Sequence, residues 1–536
     1  MYTLQDYSIF AVVANVLYFA TTWKLFQKAG RKAWEALIPV YNILATLKII
    51  HRPWWWIIIV FIPIVGWIMA AIILVDFVRH FGRRSFLDAV LAFFFSFVFL
   101  AYLNYSPQTQ YTGKEARKET LISAVLYAVI FATIIHAFII QPFTIPTGSM
   151  ERTLLVGDFL FVSKLNYGVR IPMTPAALPF LQNKIFFFGG SSPQNQPDSY
   201  INDIRLPYMR LPGWEKVERY DIVVFNYPPD SLHAAIDRKD PYVKRCVGVP
   251  GDKIQIINNN LYINGQPEKI SPDEEQQRRY KVFTNEIGIG NDRVMQLFGY
   301  TPYGEVIPSE DSNKREYIFE GLTKENVAKL KANLNTVDSI VQIVTPKGIT
   351  EVTHFDYSQK IDTTNSIFPI NSGWNHCQYG PLTLPKKGDI IQLTPQNIEQ
   401  YKKIIKVYEH NDLKINGNQF YINDVPANTY TFKQNYYWMM GDNRDNSLDS
   451  RYFGYVPEDH IIGKPVFTWF SLQGAFENDR YGHPAERKIR WDRMFRIPNN
   501  GVSLSEKTNY GWIILVLLVV FFGYDYFRGK KKGEKE

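Results

Sequence analysis

The stretch "LISAVLYAVIFATIIHAFIIQPFTIPTGSME" (121–151) joins a long apolar run to a tight polar turn. Its first part, 121–140, has no ionisable side chain except His136, and an α-helix needs about 20 apolar residues to cross the core of a bilayer. Two prolines, a glycine and Ser149 follow at once, a sequence stiffer than a flexible linker. The order predicts that a hydroxyl group is held at a membrane surface, close to where other chains emerge.

Further apolar runs lie at 5–22, 54–77, 86–103 and 511–527. Basic residues follow the first run, precede the run 121–140, and form the tail "RGKKKGEKE" after the last one. Because basic loops remain on the cytoplasmic side of a membrane, we predict a multi-pass protein with its N-terminus outside. The segment 141–510 is then extracytoplasmic and the tail cytoplasmic, whereas the path of residues 33–104 stays open.

Composition excludes several classes of partner. The 536-residue chain has a net charge of +8, but it has no aromatic and basic interleave typical of a nucleic-acid module, so we expect no nucleic-acid partner. Two cysteines and nine histidines show no spacing typical of metal ligands. We therefore predict no metal and no cofactor, and whether Cys246 and Cys377 pair is left open.

The segment 141–510 is predicted to be mainly β. Short runs of β-forming residues are punctuated by Asn, Gly and Pro, as at "DIVVFNY" (221–227) and "KIQIINNNLYING" (253–265). The clearest helix is 322–335, with Thr323 as its N-cap. The stretches 170–213 and 268–380 look irregular and are interpreted as insertions. The fold class predicted is a mainly β domain with insertions, together with transmembrane α-helices.

Two segments of the chain resemble each other. Residues 241–267 align without gaps to 400–426, which places Lys403 opposite Lys244. We interpret 381–430 as a β-rich structural duplicate. Because the second copy lacks "RCVGVPGD" (245–252), we predict that Lys403 has no catalytic role.

A serine hydroxyl needs an activating group to act as a nucleophile. No GxSxG surrounds Ser149, and no SxxK occurs in the chain. A lysine can serve if its pKa falls from about 10.4 towards neutrality, which burial in apolar surroundings can cause. Lys244 lies in "PYVKRCVGVPGD" (241–252), a pattern typical of a partly buried strand. In the loop "GDNRDNSLDSRYFGYVPEDHIIGKP" (441–465), Asp449 can pair with Arg451 and Ser447 can hydrogen-bond an amine.

These motifs, in this order and after an apolar span, resemble the four boxes of the bacterial type I signal peptidases, the leader peptidases with a Ser-Lys dyad. The resemblance implies a signal-peptidase-like antiparallel β fold in the bacterial inner (cytoplasmic) membrane, with the catalytic domain on the periplasmic side. It implies a serine endopeptidase that removes signal peptides from exported preproteins. The expected partners are preprotein signal peptides, membrane lipids and the secretion machinery.

The resemblance also assigns roles to residues. Ser149 would be the nucleophile and Lys244 the general base. The backbone N–H of Ser149 and the hydroxyl of Thr147 would form the oxyanion hole, although the family usually has serine at the latter position. Ser447 would orient the lysine. Asp449 and Arg451 would hold the loop. Phe143 and Met150 would line shallow apolar pockets for the substrate.

Two other functions are alternatives to a signal peptidase. A self-cleaving regulator of the LexA type uses a related dyad but requires a DNA-binding helix-turn-helix, where this chain has apolar spans. A catalytically inactive membrane scaffold for secreted proteins would not need both Ser149 and Lys244. The predicted division of the chain is as follows: spans 1–120, anchor 121–140, core 141–267 with the insertion 170–213, insertion 268–380, duplicate 381–430, core 431–475, membrane-proximal segment 476–510, terminal span 511–528 and basic tail 529–536.

Overall fold

The structure is a computed structural model that describes residues 4–62, 65–113, 121–185, 196–231, 235–272, 274–298, 304–307, 314–349, 367–370, 372–476 and 485–498. The predicted terminal span 511–528 and tail 529–536 lie outside these residues. The chain forms two compact units. The first comprises Met1–Ile139, Val169–Leu211 and Ser231–Lys239, and the second comprises Ile140–Gly168, Pro212–Asp230 and Asp240–Glu536.

Helices dominate the first unit. Numbered in chain order, they are α1 (Leu4–Lys28), α2 (Tyr41–Ile49), α3 (Trp56–Val60), α4 (Gly66–Arg79), α5 (Phe86–Phe94), α6 (Ser96–Tyr105) and α7 (Leu121–Ile134). Their apolar faces share one core that includes Phe26, Phe77 and Leu103. The side-chain amide of Asn104 accepts hydrogen bonds from the backbone N–H groups of Lys24 and Leu25, which joins α6 to α1.

Three of the predicted spans, 54–77, 86–103 and 121–140, are not single continuous helices. Among the described residues, no single helix has both the length and the apolar character needed to cross a membrane. The run 86–103 is bent by 114° between two helices, which together pass that test. The run 54–77 is divided between α3 and α4. After α7, the run 121–140 continues as a π-helical turn, Ile135–Ile139, and Ile140 already belongs to a strand.

The insertion predicted at 170–213 belongs mostly to the first unit, and its described residues, 170–185 and 196–213, form no helix or multi-residue strand. Its described part is held by isolated bridges such as Arg170 to Arg210. The buried guanidinium of Arg238 organises it by donating to the hydroxyl of Thr174 and to the carbonyls of Leu181 and Gln182. Such irregular backbone can be buried because these polar side chains satisfy it.

The second unit is mainly β, as predicted. Its strands are β1 (Ile140–Thr144), β2 (Asp158–Ser163), β3 (Ile222–Asn226), β4 (Pro241–Gly248), β5 (Lys253–Ile257), β6 (Asn260–Ile263), β7 (Gln266–Pro267), β8 (Arg278–Asn285), β9 (Gly304–Ile307), β10 (Lys314–Leu322), β11 (Val337–Gln342), β12 (Tyr379–Thr383), β13 (Ile390–Gln392), β14 (Leu413–Asn416), β15 (Gln419–Ile422), β16 (Val425–Pro426), β17 (Thr429–Thr431), β18 (Tyr436–Met440), β19 (Val456–Pro457), β20 (Ile461–Gln473) and β21 (Lys488–Ile489). Its helices are α8 (Asn291–Phe298), α9 (Lys324–Asn333), α10 (Ile398–Lys403) and α11 (Ser450–Phe453).

The largest sheet carries the candidate site. Its strand order is β1-β2-β20-β3-β4-β18-β19, with β21 paired to β20, and the pairs are antiparallel. Between β1 and β2, the segment 145–154 packs Ile145, Met150 and Leu154 against Leu160 of β2 and Ile222 of β3. The segment thus crosses one face of the sheet, which brings Ser149 from the edge strand β1 towards the inner strand β4.

The predicted insertion 268–380 is more regular than expected. The described residues between 278 and 342 form a module, named here the 278–342 module, with a four-stranded antiparallel sheet, ordered β11-β8-β10-β9, and the helices α8 and α9. It has its own apolar core, which includes Val282, Phe319 and Leu330. The helix predicted at 322–335 is confirmed, since Thr323 caps α9 by accepting from the N–H of Asn326.

Only one part of the sequence repeat has the same structure in both copies. In the hairpin part, β14-β15-β16 repeats β5-β6-β7 strand for strand, with Leu413 opposite Ile422 as Ile254 is opposite Ile263. The preceding part differs, because β4 corresponds to α10 and the π-helical turn Ile404–Tyr408. The prediction of a β-rich duplicate was therefore wrong for 398–408, where Ile398, Tyr401 and Ile405 are buried on helical spacing.

Candidate active site

Ser149 and Lys244 meet at the centre of the site. Ser149 lies in a single 3-10 turn, Gly148–Met150, while Lys244 lies in β4. The Nζ of Lys244 is 2.6 Å from the Oγ of Ser149, within hydrogen-bonding distance. Both side chains are buried, with 9% and 3% of their surface exposed. The motifs of the two residues predict that they act together, and the fold brings them into contact.

The surroundings of Lys244 favour its neutral form. Burial lowers the pKa of Lys244 to about 8, against the opposing effect of the nearby Asp449 and Asp442 carboxylates. The amine also donates to the carbonyl of Val243 at 3.1 Å. An amine with this pKa is partly unprotonated at neutral pH, so its lone pair can accept a proton from the serine hydroxyl.

The pairing of Asp449 with Arg451 is confirmed. The guanidinium of Arg451 donates to both carboxylate oxygens of Asp449, at 2.9 and 2.8 Å, and both side chains are fully buried. Burial alone would raise the pKa of Asp449, but Arg451 holds it below its ordinary value. Asp449 also accepts from the N–H of Gly441 at 3.1 Å. The pair therefore closes the loop 441–451 on itself.

Ser447 does not make the contact expected of it. Within the described part of the chain, the amine of Lys244 bonds Ser149 and Val243, and not Ser447. The Ser447 hydroxyl is buried and contributes to the low pKa of Asp449, although its geometry falls short of a regular hydrogen bond.

Gly441 provides the space between the loop and the serine. A Cβ at this position would lie 2.3 Å from the Oγ of Ser447 and 2.4 Å from the carbonyl oxygen of Ser149. Cβ atoms do not approach backbone oxygens this closely. A residue without a side chain is therefore required for the loop to approach the serine.

Asn443 is a site residue that the sequence analysis did not single out. Its backbone N–H donates to the carbonyl of Ser149 at 3.1 Å, and its side-chain amide donates to the carbonyl of Gly148 at 3.1 Å. Asn443 is 5% exposed. Its position within "GDNRDNSLDS" (441–450) is the only sequence signal of this role, because both contacts are made to backbone atoms.

A buried ionic network links the lysine strand, the serine segment and the loop. Asp442 accepts both a bidentate contact from Arg245, at 2.8 and 2.7 Å, and a hydrogen bond from the hydroxyl of Thr153 at 2.6 Å. Burial would raise the pKa of Asp442, but Arg245 keeps it below its usual range. Arg444 pairs with Glu268 and Glu274. Through Arg245 and Asp442, the strand that carries Lys244 is thereby joined to the loop 441–451 and, through Thr153, to the segment that carries Ser149.

The remaining predicted residues occupy different environments. Thr147 is exposed and extended, immediately before the turn that holds Ser149. Phe143 is half-buried against Val162, Val224 and Ile462. Met150 is fully buried in the apolar cluster of the segment 145–154. Its side chain is therefore a support beneath the serine rather than a surface that a substrate can touch.

The sequence also singles out Cys246, Cys377 and Lys403, and the structure shows the environment of each. Cys246 and Cys377 are both buried free thiols, so they do not form a disulfide. Lys403 ends α10, with its Nζ 5.7 Å from the ring centroid of Tyr408. It occupies a helix where Lys244 occupies a strand, so the two lysines are not structurally equivalent.

Comparison with known families agrees with this site. A family model described as "Signal peptidase, peptidase S26" matches residues 118–327 and 408–470, together about half of the chain. Residues 34–114 match a family of unknown function (DUF5684).

Curated relatives named Signal peptidase I cover much of the chain. One from Buchnera aphidicola subsp. Acyrthosiphon pisum is 28% identical over 341 residues, which is 63% of this chain and 71% of the relative. One from Helicobacter pylori is 24% identical over 71% of this chain and 93% of the relative. One from Haemophilus influenzae is 26% identical over 65% and 67%, respectively. With the family model matching half of its length, the chain belongs to the peptidase S26 family of signal peptidases and is a serine protease that removes signal peptides.

Proposed function

We propose that the chain cleaves signal peptides from exported preproteins by a Ser-Lys dyad, with Ser149 as nucleophile and Lys244 as general base. The observation that carries the proposal is the 2.6 Å contact between Nζ and Oγ in a buried setting. The pKa of about 8 at Lys244 supports it, because a general base works best when its pKa is near the operating pH.

The reaction follows from this contact. The neutral amine of Lys244 takes the proton of the Ser149 hydroxyl as Oγ attacks the carbonyl carbon of the scissile peptide. The tetrahedral intermediate collapses when Lys244 returns that proton to the leaving amine, so the C–N bond breaks and an ester to Ser149 remains. Water then attacks the ester and gives a proton to Lys244, and the serine oxygen leaves with that proton.

The negative oxygen of the intermediate needs hydrogen-bond donors. We assign the backbone N–H of Ser149 and the hydroxyl of Thr147 to this oxyanion hole. Each such donor typically contributes a factor of about 10²–10³ to kcat. Asp449 and Arg451 hold the loop beside the dyad, Ser447 adds to the polar surroundings of Asp449, and Phe143 is the residue we assign to the substrate surface.

A shared bilayer would hold the enzyme and its substrate at matching heights. Ser149 follows the apolar run 121–140 by nine residues, so a chain anchored by that run would hold its nucleophile near the bilayer surface. A signal peptide spans the bilayer as a helix and presents its cleavage site at the same height, which reduces the entropy lost in positioning the two. We place the protein in the bacterial inner membrane as a multi-pass protein, with lipids and the secretion machinery as further partners.

The test is processing of a preprotein by purified protein in detergent, with the cut mapped. Ser149→Ala and Lys244→Ala are each expected to abolish cleavage. Ser339→Ala, an exposed serine on β11, is the matched control and should cleave as the wild type does. Substantial cleavage by either dyad variant would refute the assignment.

A further inference from the structure

The two hydrogen bonds of Asn443 fall on the two peptide units that flank Ser149. The side-chain bond ends on the Gly148 carbonyl, which belongs to the peptide between Gly148 and Ser149. The backbone bond ends on the Ser149 carbonyl, which belongs to the peptide between Ser149 and Met150. Because each peptide unit is planar, fixing both carbonyls fixes the backbone dihedrals of Ser149. The directions of its N–H and of its Cα–Cβ bond are thereby fixed as well.

The first of these bonds bears on charge stabilisation. The carbonyl of Gly148 and the N–H of Ser149 are opposite ends of one trans peptide unit. A hydrogen bond accepted by the carbonyl therefore sets the direction of the N–H. It also polarises the amide, which makes the N–H a stronger donor. The geometry thus connects the side chain of Asn443 to the N–H that we assign to the oxyanion hole.

Asn443 is itself held from its other side. Gln277 donates its backbone N–H to the carbonyl of Asp442 at 3.0 Å and accepts from the N–H of Arg444 at 3.2 Å. Residues 442–444 thus lie between Gln277, at the start of the 278–342 module, and the serine turn. The two peptide groups that flank Asn443 are thus bonded to Gln277, while Asn443 itself bonds the serine turn, an arrangement that gives a placed donor the rigid support it requires.

We propose that Asn443 is a positioning residue of the oxyanion hole, acting through the Gly148–Ser149 peptide. This inference rests on the proposed function, since it assumes that Ser149 is the nucleophile. Asn443 touches no reacting atom in this scheme. Its effect should appear in the transition state and not in the binding of an uncleaved substrate.

Asn443→Ala removes the side-chain bond but keeps the backbone one. We expect kcat for preprotein cleavage to fall about 10–100-fold, less than or comparable to the loss of an oxyanion donor itself, with KM within about twofold of the wild type. A peptide aldehyde with small residues before its reactive carbon forms a tetrahedral adduct with a nucleophilic serine. Its inhibition constant should rise by the same factor as kcat falls, because both depend on the oxyanion hole.

The pH dependence separates this role from damage to the dyad. The midpoint of the pH–rate profile should remain near the wild-type value in Asn443→Ala, because Lys244 keeps its surroundings. Asn446→Ala is the matched control, since Asn446 lies in the same loop and is exposed. It should show wild-type kcat and aldehyde inhibition.

Asn443→Asp keeps the size of the side chain and exchanges the donor for an oxygen. It should lose at least as much activity as the alanine variant. If the alanine variant is too unstable to purify, Asn443→Asp serves as the test of the positioning role. Retention of wild-type kcat in Asn443→Asp would overturn the proposal. A fall in kcat with unchanged aldehyde inhibition would also overturn it. Failure of the proposed function looks different: wild-type cleavage would then survive Ser149→Ala, whatever Asn443 does.

Discussion

Lys244 shows how burial tunes a single side chain. The pKa of its amine falls to about 8 because the charged form loses its hydration, and this effect outweighs the attraction of two carboxylates. The same residue would be useless as a base in solution, where its pKa is about 10.4. The structure thus provides the condition that the sequence analysis required of a catalytic lysine.

The pH dependence of the reaction follows from this pKa. The neutral, proton-accepting form of Lys244 increases as pH rises, so kcat/KM for preprotein cleavage should increase from pH 6 and level off above about 9, with a midpoint near 8. Initial rates between pH 6 and 10 measure it. A midpoint near 10.5, or a profile that is flat over this range, would show that Lys244 is not the base.

Gly441 gives a second prediction for a single residue. Gly441→Ala places a methyl group against the Ser149 carbonyl and the Ser447 hydroxyl, so the loop must move away from the serine. We expect turnover to fall at least about 10-fold, the range in which small misplacements of catalytic groups act. Gly290→Ala is the control, because a Cβ there meets no atom within 4 Å. Equal activity of the two variants would contradict the role given to Gly441.

At this scale, sequence reasoning identified the two residues that the fold brings into contact, and it missed Asn443, which holds the serine turn. Ser149 and Lys244 are identified by their motifs, and Asp449 with Arg451 by complementary charge. Asn443 was missed because it bonds backbone carbonyls almost 300 positions earlier in the chain, and no side-chain pattern marks such contacts. The expected hydrogen bond between Ser447 and the Lys244 amine is not among the contacts of the described residues, and the motif alone does not show which buried group that hydroxyl faces.

Among the elements, the repeat is the clearest case of similar sequence with different structure. The hairpin half has Asn and Gly at its turns and keeps its strands in both copies. In 398–408, buried apolar residues recur every three or four positions, and this spacing favours a helix. The ungapped alignment concealed that period, because it carried the strand assignment of 241–248 over to residues with helical spacing.

The helix at 398–408 sharpens the prediction for Lys403. Lys403 ends α10 with its Nζ 5.7 Å from the ring centroid of Tyr408, whereas Lys244 lies in strand β4 beside Ser149. Lys403→Ala should therefore cleave a preprotein within about twofold of the wild-type rate, while Lys244→Ala should be inactive. The two variants are compared in the same assay. Loss of activity in Lys403→Ala at unchanged thermal stability would show that the second copy contributes to the site.

The 278–342 module was expected to be irregular because its strands pair with segments that are distant in the sequence. Strand β8 alternates buried and half-buried residues, a period of two that sequence reading can detect. Its partners β10 and β11, however, are distant in the chain. Pairing between distant segments depends on loop closure and packing, which local composition does not reveal.

For the whole molecule, the division of the chain can be tested by its accessibility. If 141–510 is extracytoplasmic, protease added to sealed spheroplasts should digest this segment and spare an epitope placed after residue 536. Lysed spheroplasts, in which both sides are accessible, are the control. Protection of the segment in sealed spheroplasts would overturn the proposed topology, and the proposed access to exported preproteins with it.

The bonds between Asn443 and the serine turn have a consequence for how the enzyme is made. A ribosome releases a chain from its N-terminus at about 5–20 residues per second. The contact between Asn443 and Gly148 joins positions 295 residues apart, so the nucleophile precedes its support by roughly 15–60 seconds of synthesis. During that interval Ser149 lacks the loop that holds its peptide. The Gly148–Ser149 peptide therefore cannot be held in its final geometry until the loop 441–451 has been synthesised.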